Sequence, residues 1–519
     1  MNRGTLDADL RAAARDHGDR TALVVGERRM TYAEFDRAAA GFAAGLLELG
    51  VQRGDRVAVV LRNSIEAAVS IYGVLRAGAA FTPLNPTAKV EKLSHLLADC
   101  GAVAAVCSPE AVPTLREAGQ GSNAFQHVIG IGAEVDGTPS FETLAAHAPA
   151  DPPPPLDVDL SALIYTSGST GLPKGVVFLH RNMTFVAGAI IDYLGLRGED
   201  RILCVLPLSH TYGLYHLLMS VRCSATLVLE HGITFPGKLV EILEREQITM
   251  LPGVPTVWQV LTSLHGLAER PLPQLRVLTN AGAALSTTQL AAVRRTFPHA
   301  TFFSMYGQTE CKRVCYLPPD QLDVRPDSVG IAIPGTELWI EDEHGEEVGV
   351  GEVGELIIRG DHVMQGYWND ATATAKRLKP GRWPGDRVLR SGDLFRRDAE
   401  GYLYFVARSD DIIKSRGEKV APKEVEEVLY HYPGVREAAV IGVADELLGQ
   451  AVMAHVSAAD GHELDPTAVR RYCAEHLEDF MVPRQVVIHP ELPKMDNGKL
   501  DKIALGASYG AKKLEGAAR

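Results

Sequence analysis

The chain has 519 residues, 46% of them hydrophobic, more than one hydrophobic core organises, so two or more globular domains are expected. A formal net charge of −13 argues against nucleic acid as a partner, because non-specific binding to phosphate backbones needs clustered Lys and Arg. No apolar run reaches bilayer length and the start, "MNRGTLDADLRAAARDHGDR", has no signal-peptide core, so a cytoplasmic protein without a membrane span is expected.

In chain order, "DRVAVVL" (55–61) reads as a buried strand, "SIEAAVSIYGVLRAG" (64–78) as a helix and "VAAVC" (103–107) as a strand again, an alternation that predicts layered α/β structure. The tract "DPPPPLD" (151–157) removes four amide donors and predicts a subdomain boundary. Beyond it, 161–180 reads as strand, loop, strand, with further strands at 201–208 and 275–282 and a helix from Ser286 to Phe297. From about 328 short strands alternate with Gly-rich turns, predicting a β subdomain. The last segment, 411–519, carries helix (422–431), strand (435–443), strand (451–457) and helix (466–477), a compact α+β unit. The predicted fold is therefore α/β: a large N-terminal domain of layered α/β subdomains plus a β subdomain, then a small α+β C-terminal domain.

The stretch "YTSGSTGLPK" (165–174) sets six consecutive Ser, Thr and Gly residues before a lysine. Such a loop brings amides and hydroxyls close to phosphate oxygens, and Lys174 adds the positive charge; a mobile hairpin turn is the competing reading. It is not a Walker A loop, since a strand-like "GVVFLH" follows. Gly232-Ile-Thr-Phe-Pro-Gly237-Lys238 has Leu239 where a magnesium-binding hydroxyl is needed and no clear preceding strand, so it reads as a surface turn. Gly349-x-Gly351-x-x-Gly354 precedes a strand-like "ELIIRG" and reads as a hairpin. Seven scattered cysteines lack metal-ligand or disulfide spacing; Cys311 and Cys315, at helical i,i+4 spacing, are read as core.

With the segments around it, this loop resembles that of the adenylate-forming superfamily of acyl-CoA synthetases, adenylation domains and luciferases. The resemblance runs in order through "TYAEFDRAA", "GVQRGDRVAVVLRNS", "YTSGSTGLPKG", "LPLSHTYG", "NAGAAL", "YGQTE", "GELIIRG", "SGDL", "ARSDDIIKSRGEK" and "LPKMDNGK". It implies ATP-dependent activation of a small-molecule carboxylic acid as acyl-AMP, then thioester formation with coenzyme A or with the phosphopantetheine of an acyl or peptidyl carrier protein. Alternatives are another acceptor or oxyanion (an amide, nitrite) or a silent nucleotide- or acyl-binding relative.

The resemblance implies roles residue by residue. Thr166, Ser167, Gly168, Ser169, Thr170 and Gly171 would cradle phosphates with Lys174, while Gly282, Ala283, Gly307 and Gln308 would border the nucleotide. Glu310 would coordinate Mg²⁺, Thr309 would bond the α-phosphate, and Tyr306 would lie against adenine. Asp393, assisted by Arg408, would accept the ribose hydroxyls. Lys499 would bridge the carboxylate and the α-phosphate, and Lys414 would contact phosphates in one of two lid positions. The implied boundaries are a core at 1–408 (subdomains about 1–155, 156–327 and 328–408), a hinge at 409–410 centred on Asp410, and a mobile lid at 411–519 whose Gly417 lines the thiol tunnel. A homodimer is compatible with the family. His210, Tyr212 and Gly213 would border the acyl pocket. No carboxylate in "SHTYGLY" would hold an α-ammonium, which favours an acid without an α-amino group. Ala281, Ala284 and Lys502 depart from the commoner Gly, Pro and Arg.

Overall fold

The computed structural model describes residues 4–132, 137–149, 152–166, 173–232, 236–270, 272–409, 411–415, 418–445, 449–495 and 499–507. Among these residues the strands form four sheets, of six, nine, five and five strands. The six-stranded sheet runs, edge to edge, His127–Gly130, Ala102–Cys107, Arg56–Val60, Ala80–Pro83, Leu160–Thr166 and Lys174–Leu179, parallel except for the last, antiparallel pair. The nine-stranded sheet has a parallel centre built from Thr226–Leu229, Arg201–Cys204, Met250–Gly253, Val277–Asn280 and Thr301–Tyr306.

Helix Ile65–Arg76 is buried at every position, as a helix apolar all round must be. Ser64 caps it by accepting the amide of Ala67, and its two charges are paired: Arg76 with Asp7 at 2.7 Å, Glu66 with Arg28 at 2.7 Å. Arg76 is also paired with Asp36, so its buried charge keeps a counter-ion on two sides.

Two expectations need correcting. The proline tract does not separate the sheets, because Phe81 before it and Ala162 after it are partners in one sheet, while Thr21–Val25 joins the other sheet beside Thr226–Leu229. Prolines end local hydrogen bonding, but which strands pair is decided by burial of apolar faces far apart in sequence. The Walker-like stretch is also not a plain turn: strand Thr226–Leu229 leads towards it and helix Pro236–Arg245 contains Gly237 and Lys238. Its lysine is exposed, 3.7 Å from Glu230, and Leu239, in the core, offers a metal no hydroxyl at that position.

A third, antiparallel sheet follows: Glu337–Glu341, Gly354–Arg359, Arg387–Arg397, Leu378–Pro380 and Leu403–Arg408. Gly349 and Gly351 lie in the connection between its first two strands, as the hairpin reading requires. The fourth sheet, Glu418–Val420, Ile413–Ser415, Gly449–Ala458, Val435–Asp445 and Gln485–His489, packs with helices Pro422–His431 and Pro466–His476 as the small C-terminal domain. Cys311 and Cys315 are buried as expected, but not on a helix: Lys312 between them has φ +63°, which breaks any helical turn.

Candidate active site

The flanks of the 167–172 segment are brought together by antiparallel pairing, with Thr166 opposite Lys174 at the ends of Leu160–Thr166 and Lys174–Leu179. Ser167, Gly168, Ser169, Thr170 and Gly171 lie outside the described residues. Outside the strand pair, segment 364–368 runs beside Lys174–Leu179: Val177 donates to Gly366 O at 3.0 Å and Trp368 donates to Gly175 O at 2.7 Å. A side chain on Gly175 would press on the Tyr165 ring at 3.2 Å. This stitching sets the Tyr367 ring 5.3 Å from the Lys174 ammonium.

Tyr367 also fixes Glu310. Its hydroxyl donates to Glu310 Oε1 at 2.7 Å in a buried bond, and Met364 N donates to Glu310 O at 2.8 Å. The turn carrying Gly307, Gln308, Thr309 and Glu310 folds back tightly, Lys312 N donating to Gln308 O at 2.6 Å. A Cβ on Gly307 would lie 1.9 Å from Lys312 O, so only glycine fits there. One residue thus links Lys174 to the acidic turn, and Tyr367, in "QGYWND", belongs to none of the quoted motifs.

Asp393 sits on Arg387–Arg397 opposite Arg408 of the neighbouring strand and accepts the Tyr306 hydroxyl. Burial pushes its carboxyl above the usual range, opposed by Tyr306, Arg408 and Arg377. Gln308 Nε2 donates to Tyr306 Oη and to Ser391 O, both at 3.2 Å. The Tyr306 ring packs edge-on against Phe395, centroids 5.0 Å apart. Arg377, not anticipated from the sequence, lies close enough to Glu310, Tyr367 and Asp393 to be influenced by all three charges or dipoles.

A third wall is the turn after strand Val277–Asn280. Buried Asn280 organises it, accepting from Trp258 Nε1 at 3.2 Å and donating to Ala283 O at 2.9 Å, and Gly282 takes φ +91°. A Cβ at Gly282 would be 3.6 Å from Lys499 Cε, so the C-terminal domain delivers its lysine to this wall. The hairpin carrying Lys499 is tied to its own domain by Met495 N to Lys499 O (2.7 Å), Lys494 to Glu437 (2.9 Å) and Lys502 to Glu426 (2.7 Å). Across the domain junction, Lys423 donates to Phe405 O at 3.3 Å.

Lys499 keeps solvent access although protein atoms crowd it. Burial and the nearby Arg408 hold its ammonium below the usual lysine range, while Asp393 and Glu310 pull it back up. Its electrostatic neighbours are therefore the two carboxylates and the arginine of the opposite domain.

The remaining expected residues are more dispersed. His210 is the N-cap residue of helix Thr211–Cys223, and a Cβ on Gly213 would lie 2.3 Å from Pro207 O, so that glycine answers to close packing under the His210 turn. Tyr212 bonds the Thr279 carbonyl at 3.0 Å, joining this helix to the Asn280 turn. Lys414 is exposed on Ile413–Ser415, its amide bonded to Gln450 Oε1 at 2.7 Å. Asp410 and Gly417 lie outside the described residues. Among the described residues no three His, Cys, Asp or Glu side chains cluster as metal ligands. The donor set at Glu310 suits Mg²⁺, which binds through one or two carboxylates plus substrate phosphates.

A lysine from a small C-terminal domain, set over a glycine turn and facing two carboxylates of a layered α/β domain, defines an adenylate-forming ligase of the acyl-CoA synthetase class. The chain belongs to the AMP-binding enzyme family: residues 10–368 match its AMP-binding enzyme model and 424–499 its C-terminal domain model. It is similar to a feruloyl-CoA synthase from Amycolatopsis sp, 34% identical over 494 residues covering 94% of this chain and 96% of that one. It is also similar to 4-coumarate--CoA ligase 3 of Oryza sativa subsp. japonica, 31% identical and covering 98% and 93% of the two chains. Among solved structures, ATP-bound MatB from Rhodopseudomonas palustris superposes with a TM-score of 0.89 at 28% identity, covering 98% of this chain and 99% of that one.

Proposed function

We propose that this ligase joins a small carboxylic acid to the AMP moiety of ATP and passes the acyl group to the thiol of coenzyme A, with a carrier-protein phosphopantetheine as the alternative acceptor. The observation that carries the reading is Lys499 of the C-terminal domain lying against the Gly282 turn. In the first step a carboxylate oxygen attacks the α-phosphorus and pyrophosphate leaves. In the second the thiolate sulfur attacks the acyl carbon and AMP leaves.

The first step brings two anions into contact. Unit charges about 4 Å apart repel by roughly 4 kcal/mol at an effective dielectric near 20, so cations are required. Lys499 supplies one between carboxylate and α-phosphate, and Lys174 another at the phosphate loop. Glu310 would hold Mg²⁺, which when bound neutralises phosphate charge. Thr309 donates to the α-phosphate, Tyr306 lies against adenine, and Asp393 with Arg408 takes the ribose hydroxyls. For the second step the 411–519 lid swivels about Asp410 and opens a thiol route past Gly417, leaving the 1–408 core in place. Seven unpaired cysteines and the need for ATP suit a cytoplasmic location.

Carboxylate-dependent exchange of pyrophosphate into ATP tests the first step, and thioester analysis with coenzyme A the second. Exchange with no acid in a broad panel refutes the ligase reading. Exchange followed by an amide or no thioester refutes the acceptor.

A further inference from the structure

Beside the adenylation site lies a set of buried polar groups that the chemistry above leaves unused. Arg313 is 6% exposed, its Nε has no hydrogen-bond acceptor, and among the described residues it has no carboxylate within ion-pair reach. Its guanidinium lies 5.1 Å from the centre of the Tyr212 ring, and its charge reaches Tyr193, whose hydroxyl donates to Met305 Sδ at 2.9 Å. Tyr215 Oη and His216 Nδ1, both within the influence of its charge, are also buried without partners. Tyr212 in turn bonds Thr279, at the root of the turn that meets Lys499. A continuous path of contacts therefore runs from the reacting end of the site to Arg313.

The neighbouring cation shows why Arg313 differs. Lys312 is buried 3.9 Å from the Phe178 ring centre with its amine unpaired, and burial holds its ammonium well below the usual lysine range, so a lysine can relieve burial by giving up its proton. A guanidinium has no such escape, and a buried charge without a counter-ion is strongly disfavoured. An aromatic face offsets only part of that cost. Glu310, the nearest acidic residue in sequence, is engaged with Tyr367. The missing anion must arrive with a ligand, and the ATP phosphates belong to the Lys174, Glu310 and Lys499 side of the site.

Resting on the ligase reading, we propose that Arg313 is the specificity-determining residue of the acyl pocket, and that the acid activated carries a second carboxylate which pairs with this guanidinium. The first carboxylate is adenylated beside Lys499; the second is held and unchanged.

The test is pyrophosphate exchange with acids matched in size and differing only in the second group: hexanoate against adipate, benzoate against isophthalate and terephthalate, with amino acids as a zwitterionic arm. Wild type is expected to prefer the better diacid by about 100-fold or more in kcat/KM. Arg313→Met should lose about 100-fold on that diacid and less than about 3-fold on monoacids, with Arg313→Lys in between. A wild-type preference for monoacids or amino acids, or an Arg313→Met loss equal on all acids, overturns the proposal. The wild-type comparison stands even if the variant does not fold. Exchange with monoacids and no diacid preference refutes this inference alone; exchange with no acid refutes the ligase reading and takes this one with it.

Discussion

Replacing Lys499 by alanine separates the two half-reactions. Its Cε lies 3.6 Å from where a Gly282 Cβ would be, and its charge is felt by Glu310 and Asp393, so in the proposed reaction it is the cation the C-terminal domain brings to the reacting anions. Losing one preorganised electrostatic contact to a transition state typically removes about 2.7–4 kcal/mol, a factor of about 10²–10³. Lys499→Ala should therefore slow acid-dependent pyrophosphate exchange about 10²–10³-fold, while thioester formation from supplied acyl-AMP changes less than about 3-fold. The pH profile gives a second readout. Because burial and Arg408 lower the ammonium's pKa, wild-type adenylation falls as pH rises through that lowered value. The residual rate of Lys499→Ala should lack this alkaline limb. Equal losses in both half-reactions, or an unchanged alkaline limb, would refute the role given to this lysine.

Tyr367→Phe keeps the ring beneath Lys174 and removes the 2.7 Å bond to Glu310. A hydrogen bond to a charged group contributes about 1.5–3 kcal/mol, so adenylation should drop about 10–100-fold, with a higher Mg²⁺ concentration for half-maximal rate; an unchanged Mg²⁺ titration would contradict that positioning role. Gly307→Ala places a methyl 1.9 Å from Lys312 O, and the forced shift should cost about 1–3 kcal/mol in urea unfolding while displacing Glu310. Lys312→Met removes a buried, unpaired amine and should raise stability by about 1–3 kcal/mol. The sign with pH follows from linkage: the folded Lys312 pKa is lowered by burial, so the unfolded chain binds more protons and wild-type stability rises with pH until the ordinary lysine range is passed. Lys312→Met should flatten that rise in thermal melts at several pH values.

The α/β layering, most strand and helix positions and the strand, loop, strand reading around 165–174 were legible because they depend on local pattern: apolar alternation, capping serines and the hydroxyl, glycine and lysine content of one segment. Ser64 and Ser286, each capping the helix that follows, are where short-range chemistry says a helix begins. The Cys311–Cys315 spacing misled for the same reason, since a periodicity of four does not reveal that Lys312 must turn left-handed to let Gly307 pack against it.

What the chain decided only on folding was which distant groups share one space. Tyr367 reaches Glu310 across 57 positions and Tyr306 reaches Asp393 across 87, through strand pairings that are long-range solutions to burying apolar faces. Lys499 meets Gly282 because a separate small domain packs over the turn after a central strand. Arg313 had no role assigned from the sequence; the fold encloses it against Tyr212, and its solvation is a property of that enclosure. Residue types and spacings set which reactions this protein has the side chains for; the packing of its sheets and domains set which of those side chains are close enough, and dry enough, to act together.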